Sequence, residues 1–274
     1  MHLAIDMGGS YIRYEIIEDG TRARVESSKI SLESLLDSFV KPLNIKKVGI
    51  SIAGRVRDGF VAFAPNLDLP HKNLAEYIQK RWDVEVVVEN DLNMAALAEA
   101  KYWGESNLIA LYSGTGLGAG VLMDNKLLRG ANSLAGEIGH ISYKKAPFEC
   151  GCGKRDCLEL YASGVGIKKW AKHYGSEKLL LKEIRESDKF DHIAREYEDA
   201  LLRASSTLIT LFNPSLLVLG GGVIEDNRYL VEFIKKSLPK VTPSYLDCRV
   251  EFTRLYDASL EGIKMVLTDN QKLH

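Results

Sequence analysis

Leu3-Ala4-Ile5-Asp6-Met7-Gly8-Gly9-Ser10-Tyr11-Ile12-Arg13-Tyr14-Glu15-Ile16-Ile17-Glu18 opens the chain as a buried strand, a glycine turn and a second strand. Gly20 then turns the chain into a third strand over residues 22–28. The first strand ends on a carboxylate, Asp6. A P-loop differs, because it joins a strand to a helix and carries G-K-[ST], a triplet that does not occur here. Residues 107–128 repeat the pattern. Asn107 to Ser113 reads as a strand, Gly114-Thr115-Gly116-Leu117-Gly118-Ala119-Gly120 as a glycine turn, and Val121 to Leu128 as a hairpin turning at Asp124-Asn125. This middle turn fits a loose G-x-G-x-x-[GA] pattern. The dinucleotide fingerprint needs a helix immediately afterwards, and residues 121–125 read as strand and turn. A pattern repeated in the two halves predicts two lobes of common α/β architecture.

The intervening periodicities fill in the lobes. Helices are expected over 31–43, 73–82, 92–103, 163–173, 176–206, 226–237 and 258–268, with strands over 48–53, 84–89, 215–219 and 248–254. Residues 55–65 read as a hairpin around Arg57-Asp58-Gly59, and 66–70 as a loop. The boundary falls near Ser106, giving lobes 1–106 and 107–257, with the final segment 258–274 assigned back to the first lobe. The chain has 274 residues, enough for two such lobes. Its 36 basic and 37 acidic residues leave a net charge of −1, which carries no nucleic-acid footprint. No run of about 18 apolar residues predicts a membrane span. No basic, apolar leader opens the chain. The expectation is a cytoplasmic protein.

Three of the four cysteines fall in Cys150-Gly151-Cys152-Gly153-Lys154-Arg155-Asp156-Cys157, and His140 precedes them by ten positions. Thiolates and a neutral imidazole are what zinc takes in tetrahedral geometry. Gly151 and Gly153 let the chain curl so that several sulfurs reach one ion. Four cysteines are too sparse for a disulfide framework. The set favours a closed zinc site with ligands His140, Cys150, Cys152 and Cys157 over one local disulfide. Glu137 and Glu159 flank it, so a zinc there would fix two carboxylates and an imidazole. Cys248 sits apart in a strand-like run and reads as an inert buried thiol.

Asp6-x-Gly8-Gly9-Ser10, Gly114-Thr115-Gly116 and Gly220-Gly221-Gly222 each follow a buried strand. Glycine lets a phosphate approach main-chain N–H groups closely, and Ser10 and Thr115 add hydroxyl donors. Together they predict a nucleotide cradle. Asp6 offers an oxygen ligand to Mg²⁺, directly or through water. Asp91 ends a strand and starts a helix, the position where α/β sheets place ligands. A carboxylate there suits the base that accepts a hydroxyl proton in phosphoryl transfer. Asp91 as a mere helix N-cap is the competing reading. Asn90 beside it could orient a hydroxyl.

These residues resemble the ROK family (repressors, open reading frames and kinases) of the actin-like sugar kinase superfamily. The resemblance runs the full length. It rests on D-x-G-G-S-Y-I-R, E-N-D-L-N-M-A-A-L-A-E at 89–99, S-G-T-G-L-G-A-G at 113–120, A-G-E-I-G-H at 135–140, C-x-C-G-x-x-x-C-L-E at 150–159 and N-P-S-L-L-V-L-G-G-G at 213–222. It implies a two-lobed actin-like, ribonuclease-H-like fold with a zinc-binding loop. ATP and Mg²⁺ would bind in the cleft, with the first two glycine turns at the phosphates and the third near adenosine. Asp91 matches the catalytic base. Asn90, Asp91, Glu137, His140 and Glu159 match sugar-hydroxyl ligands, and Gly54 and Asn66 fall where further sugar contacts usually lie. Buried hydroxyls each need a partner, which suits so many polar groups.

The implied activity is ATP-dependent phosphorylation of a hexose, foremost the 6-hydroxyl of glucose, with fructose, mannose, allose or N-acetylmannosamine as alternatives. Three departures bear on this. Asp156 replaces the usual glycine before the last cysteine, and Ser10 replaces threonine. Residues 66–71 lack a tryptophan frequent in the family's glucokinases, which, with an uncommon Arg55, leaves the sugar open. The family also contains sugar-sensing regulators with an N-terminal helix-turn-helix. This chain opens on the first phosphate strand and keeps Asp91, so the regulator reading comes second. Homodimers are common in the family, and no residue here marks an interface.

Overall fold

The computed structural model describes residues 1–64 and 67–268. Two compact units emerge. One comprises Met1–Trp103, Lys126–Ala135 and the chain from Leu255 on, and the other Gly104–Asn125 and Gly136–Arg254.

The first unit is built on β1 (His2–Met7), β2 (Tyr11–Ile16), β3 (Thr21–Glu26), α1 (Leu32–Phe39), β4 (Lys47–Ile52), the small hairpin β5 (Arg55–Arg57) and β6 (Phe60–Phe63), α2 (Leu74–Trp82), β7 (Glu85–Asn90) and α3 (Asp91–Trp103). Its sheet runs β3-β2-β1-β4-β7. The glycine turn makes β1 and β2 antiparallel, while β4 and β7 add in parallel. The second unit carries β8 (Leu108–Ser113) and β9 (Leu117–Met123), and β10 (Lys126–Leu127) follows in the segment that groups with the first unit. There follow α4 (Gly164–His173), α5 (Leu181–Arg185), α6 (Asp191–Phe212), β11 (Leu216–Gly220), α7 (Gly222–Glu225), α8 (Tyr229–Ser237) and β12 (Arg249–Phe252). Its sheet order is β10-β9-β8-β11-β12. Both sheets are thus an antiparallel hairpin triple extended by two parallel strands, and the faint sequence repeat is a repeat of topology.

Turn chemistry accounts for the hairpins. Asp58 and Gly59, and Asp124 and Asn125, all take positive φ, as two-residue hairpin turns require. β7 is an edge strand, yet it reads as nearly continuous valine because both its faces are covered. Val86 and Val88 pack into the core of β1, β4, α1 and α2, and Val87 into a separate cluster with Ala4, Met94 and Leu260.

The final helix α9 (Ala258–Thr268) forms that cluster by packing on α3, β1 and β4. Gly262 makes the packing possible, since a Cβ there would lie 2.0 Å from the Met94 carbonyl oxygen. The stretch expected to be mostly helical over 176–206 holds α5 and the start of the longer α6, separated by turns at 186–190. The helix expected over 31–43 ends at Phe39, after which the chain turns through Val40 to Asn44, the last at φ 51°.

Candidate active site

In the first unit, β7 delivers Asn90 and Asp91 to the start of α3. The expectation of Asp91 as the cap of a helix from Leu92 is corrected. The helix begins at Asp91, and Asn90 Oδ1 accepts from the N–H groups of Leu92 (2.9 Å) and Asn93 (3.0 Å), the bonds a cap residue makes. Asn90 Nδ2 donates to the Gly54 carbonyl (2.9 Å) and to Asp91 Oδ1 (3.1 Å). Three of the expected sugar-side positions, Gly54, Asn90 and Asp91, are therefore brought together. Gly54 has no room for a side chain, because a Cβ would sit 2.6 Å from the Phe63 carbonyl. Asn66 lies outside the described residues.

Two residues the sequence reading overlooked hold this turn. Buried Glu89 accepts from the Asn90 N–H (2.8 Å) and from Asn93 Nδ2 (3.0 Å) through Oε1, and from Arg129 Nε (2.9 Å) through Oε2. Glu89 precedes the N-D pair and ends a strand, which was a visible signal. Arg129, forty positions away, gave none.

Asp6 is buried at the end of β1, and Arg13 Nη1 donates to its Oδ2 at 2.9 Å. Burial pushes its carboxyl above the usual carboxylate value, against the pull of the Arg13 charge and its hydrogen bond. Arg13 thus occupies one oxygen of the carboxylate that the sequence offers as a Mg²⁺ ligand. Arg13 Nε also lies 2.9 Å from Asp257 Oδ1, just ahead of α9. The first glycine turn is pinned by Gly8 N–H to the Tyr11 carbonyl (3.0 Å) and Ser27 Oγ to the Gly8 carbonyl (2.8 Å), leaving Gly9 and Ser10 exposed.

In the second unit the other two glycine turns converge. A Cβ on Gly114 would lie 3.9 Å from Gly222 N, and Gly221 takes a φ of 90° where a Cβ would also lie 2.6 Å from the Ser113 carbonyl oxygen. The start of α4 joins them, with Gly164 N–H donating to Gly114 O (2.8 Å) and Val165 N–H to Thr115 O (3.2 Å).

His140, Cys150, Cys152 and Cys157 bring one ligand atom each within 4.8 Å of one another. Cys150 Sγ is 3.6 Å from His140 Nδ1, and Cys152 Sγ is 3.4 Å from Cys157 Sγ. A tetrahedron with Zn–S of about 2.3 Å has edges of about 3.8 Å, so the set fits zinc. All the cysteines are free, and a sulfur pair at 3.4 Å is far outside disulfide length. His140 Nε2 points to Glu137, 3.7 Å away, so the ring can ligate through Nδ1 while its other nitrogen meets a carboxylate, as metal-bound imidazoles do. Gly153 supplies the left-handed turn, at φ 86°. Asp156 replaces the expected glycine without strain: it is not among the residues at positive φ, and its carbonyl accepts from Tyr143 N–H.

Glu159 touches both the cluster and the second glycine turn. Its Oε2 accepts from Leu117 N–H (3.1 Å), and its Oε1 lies 3.4 Å from Cys150 Sγ. A Cβ on Gly116 would sit 2.6 Å from Oε2. Gly116→Ala is therefore expected to displace the Glu159 carboxylate. Sugar affinity should fall about tenfold or more, the worth of a hydrogen bond to a charged group, with the zinc content unchanged. Calorimetric titration with sugar and metal analysis check this. Unaltered affinity would remove Glu159 from the ligand set.

A family model described as the ROK family matches residues 2–262. The chain belongs to the ROK family. Among its curated relatives, a glucokinase of Streptomyces coelicolor is 31% identical over 272 residues, covering 86% of each chain. An N-acetyl-D-glucosamine kinase of Mannheimia succiniciproducens is 32% identical over 276 residues, covering 88% of this chain and 90% of the relative. A solved ROK glucokinase of Streptomyces griseus, in complex with glucose and AMPPNP, superposes with a TM-score of 0.78 at 28% identity, covering 97% of this ROK chain and 98% of its own. Among the described residues no helix is long and apolar enough to cross a membrane.

Proposed function

We propose that this ROK protein is an ATP-dependent hexose kinase that transfers the γ-phosphoryl group to a sugar hydroxyl, foremost the 6-hydroxyl of glucose. The observation that carries the reading is the Asn90–Asp91 turn. It presents a carboxylate, steadied by a side-chain amide, at the end of a parallel strand, and the helix cap that could have consumed Asp91 is made by Asn90. Asp91 accepts the proton of the attacking hydroxyl. Asn90, Gly54, Glu137, His140 and Glu159 are the candidate hydroxyl partners, with Asn66 a further one. Asp6, Gly8, Gly9, Ser10, Gly114, Thr115, Gly116, Gly220, Gly221 and Gly222 bind the nucleotide. Asp6 would hold Mg²⁺, which when bound would supply charge neutralisation at the phosphates. Zinc held by His140, Cys150, Cys152 and Cys157 would orient His140 and, through Cys150, Glu159.

The N-acetyl-D-glucosamine kinase relative makes 2-acetamido sugars the main competing substrates. A coupled ADP-release assay with Mg·ATP and glucose, mannose, fructose, allose, N-acetylmannosamine and N-acetylglucosamine decides between them. Glucose is expected to give the highest kcat/KM. A higher value for N-acetylglucosamine would move the substrate, and no turnover with any sugar by zinc-loaded protein would sink the kinase reading.

A further inference from the structure

The Asn90–Asp91 turn is held from behind by an ion pair that touches no expected ligand. Glu89 and Arg129 are both largely withdrawn from solvent, and Arg129 Nε and Nη2 lie 2.9 and 2.8 Å from Glu89 Oε2. This leaves Oε1 to accept from Asn90 N–H (2.8 Å) and Asn93 Nδ2 (3.0 Å). Asn90 then passes the constraint on, through Nδ2 to Asp91 Oδ1 (3.1 Å) and through Oδ1 to the first turn of α3. The order is Arg129, Glu89, Asn90, Asp91, each step a hydrogen bond or ion pair.

A buried ion pair is weak evidence for stability, because apolar side chains of similar volume often serve as well or better. Its use here is directional. An unpaired Glu89 would seek water or a proton, and the oxygen that fixes the Asn90 backbone would turn with it. Arg129 lies on the Lys126–Ala135 segment, which groups with this unit although its neighbours in sequence belong to the other.

We propose that Arg129 and Glu89 are positioning residues for Asp91. They act through Asn90 to aim the carboxylate, and they make no contact with substrate. The proposal rests on the kinase reading only for its catalytic consequence. Misplacement of a reacting group by about 1 Å can cost about 10²-fold in rate. Arg129→Met is expected to lower kcat by about that factor at a temperature where calorimetry shows the variant fully folded. The calorimetric Kd for sugar should stay within about threefold of wild type. Arg129→Lys, which keeps the charge, should recover at least tenfold of the loss.

A merely structural pair would instead lower the melting temperature and leave kcat of the folded enzyme alone. The crystal structure of Arg129→Met is the arm that needs no turnover. Loss of the Asn90 Nδ2–Asp91 Oδ1 bond, with rotation of Glu89, supports the brace. An unmoved Asn90–Asp91 pair overturns it, as does a kcat within about threefold of wild type. If wild-type protein phosphorylates no sugar, the kinase reading fails by itself and the crystal structure still decides the brace.

Discussion

Asp91→Asn is expected to lower kcat by about 10²–10⁴-fold, the usual contribution of a positioned general base, while sugar affinity changes by no more than about tenfold. The asymmetry follows from the geometry. Asp91 Oδ1 accepts from Asn90 Nδ2 and from Leu92 N–H, and an asparagine side chain can keep its oxygen in that place. The hydroxyl partner therefore stays, and only the capacity to take a proton is lost. Helix α3 stays as well, since Asn90 caps it. Pre-steady-state transfer measured beside calorimetric sugar binding separates the two effects. Retained turnover would assign the proton to another group. A loss of binding equal to the loss of turnover would make Asp91 a ligand and not a base. Had Asp91 been the helix cap, the same substitution would have cost little, because Asn and Asp cap almost equally well.

The competition between base and cap shows where sequence reasoning runs out. Asn90 and Asp91 both favour the cap position, and periodicity places a helix boundary only to within a residue or two. Which of them caps depends on the Gly54 carbonyl and on Glu89, and neither is visible in a local window. The two five-stranded sheets were legible because their signals are local: apolar strands, positive-φ turns at Gly20 and at Asp124-Asn125, and the repeat of the pattern. The metal cluster was legible because three of its four ligands lie within eight residues. The ion pairs that hold the site are different. Glu89 meets Arg129 across 40 positions, and Arg13 on β2 meets Asp257, just ahead of α9 and nearly the whole chain away. Charged residues at such separations look like solvated surface until the fold places them. Gly262 is a similar case. A glycine inside a helix reads as a weakness, and only the contact with Met94 explains it.

Cys157→Ser is expected to abolish zinc binding and to destabilise the second unit by an amount that free zinc no longer restores. Cys157 is fully buried beneath the loop, and Ser142 pairs with it as an isolated bridge. Cys152 is the exposed corner of the same cluster, so Cys152→Ser should lose the metal with a smaller packing penalty. Zinc present at about 10³ times its Kd stabilises the native state by about 4 kcal/mol, equivalent to roughly 10 °C of melting temperature for a unit of this size. Wild-type protein should lose about that much on chelation and regain it on adding zinc; Cys152→Ser should start near the chelated value and ignore zinc.

The metal-free thiols also set a pH dependence. Burial, together with the nearby Glu159 charge, pushes the Cys150 thiol up to about 11, and burial and the neighbouring thiols push Cys157 higher still. At Cys152 burial is outweighed by hydrogen bonds from the Lys154 backbone and the other two thiols, and its value falls. The Cys150 and Cys157 thiols are thus protonated at neutral pH without metal. Zinc must displace those protons, so its apparent affinity rises with pH and falls as the solution is acidified. Competition titrations against a chelator between pH 6 and 8, corrected for the chelator's own protonation, measure this. An affinity flat across that range would mean that the sulfurs are not the ligands. Sugar affinity should follow zinc occupancy, since a bound zinc would fix His140 as a ligand, and Glu159 lies 3.4 Å from Cys150 Sγ. A stripped protein that binds sugar as tightly as the loaded one would reduce the metal to a fold staple with no part in building the site.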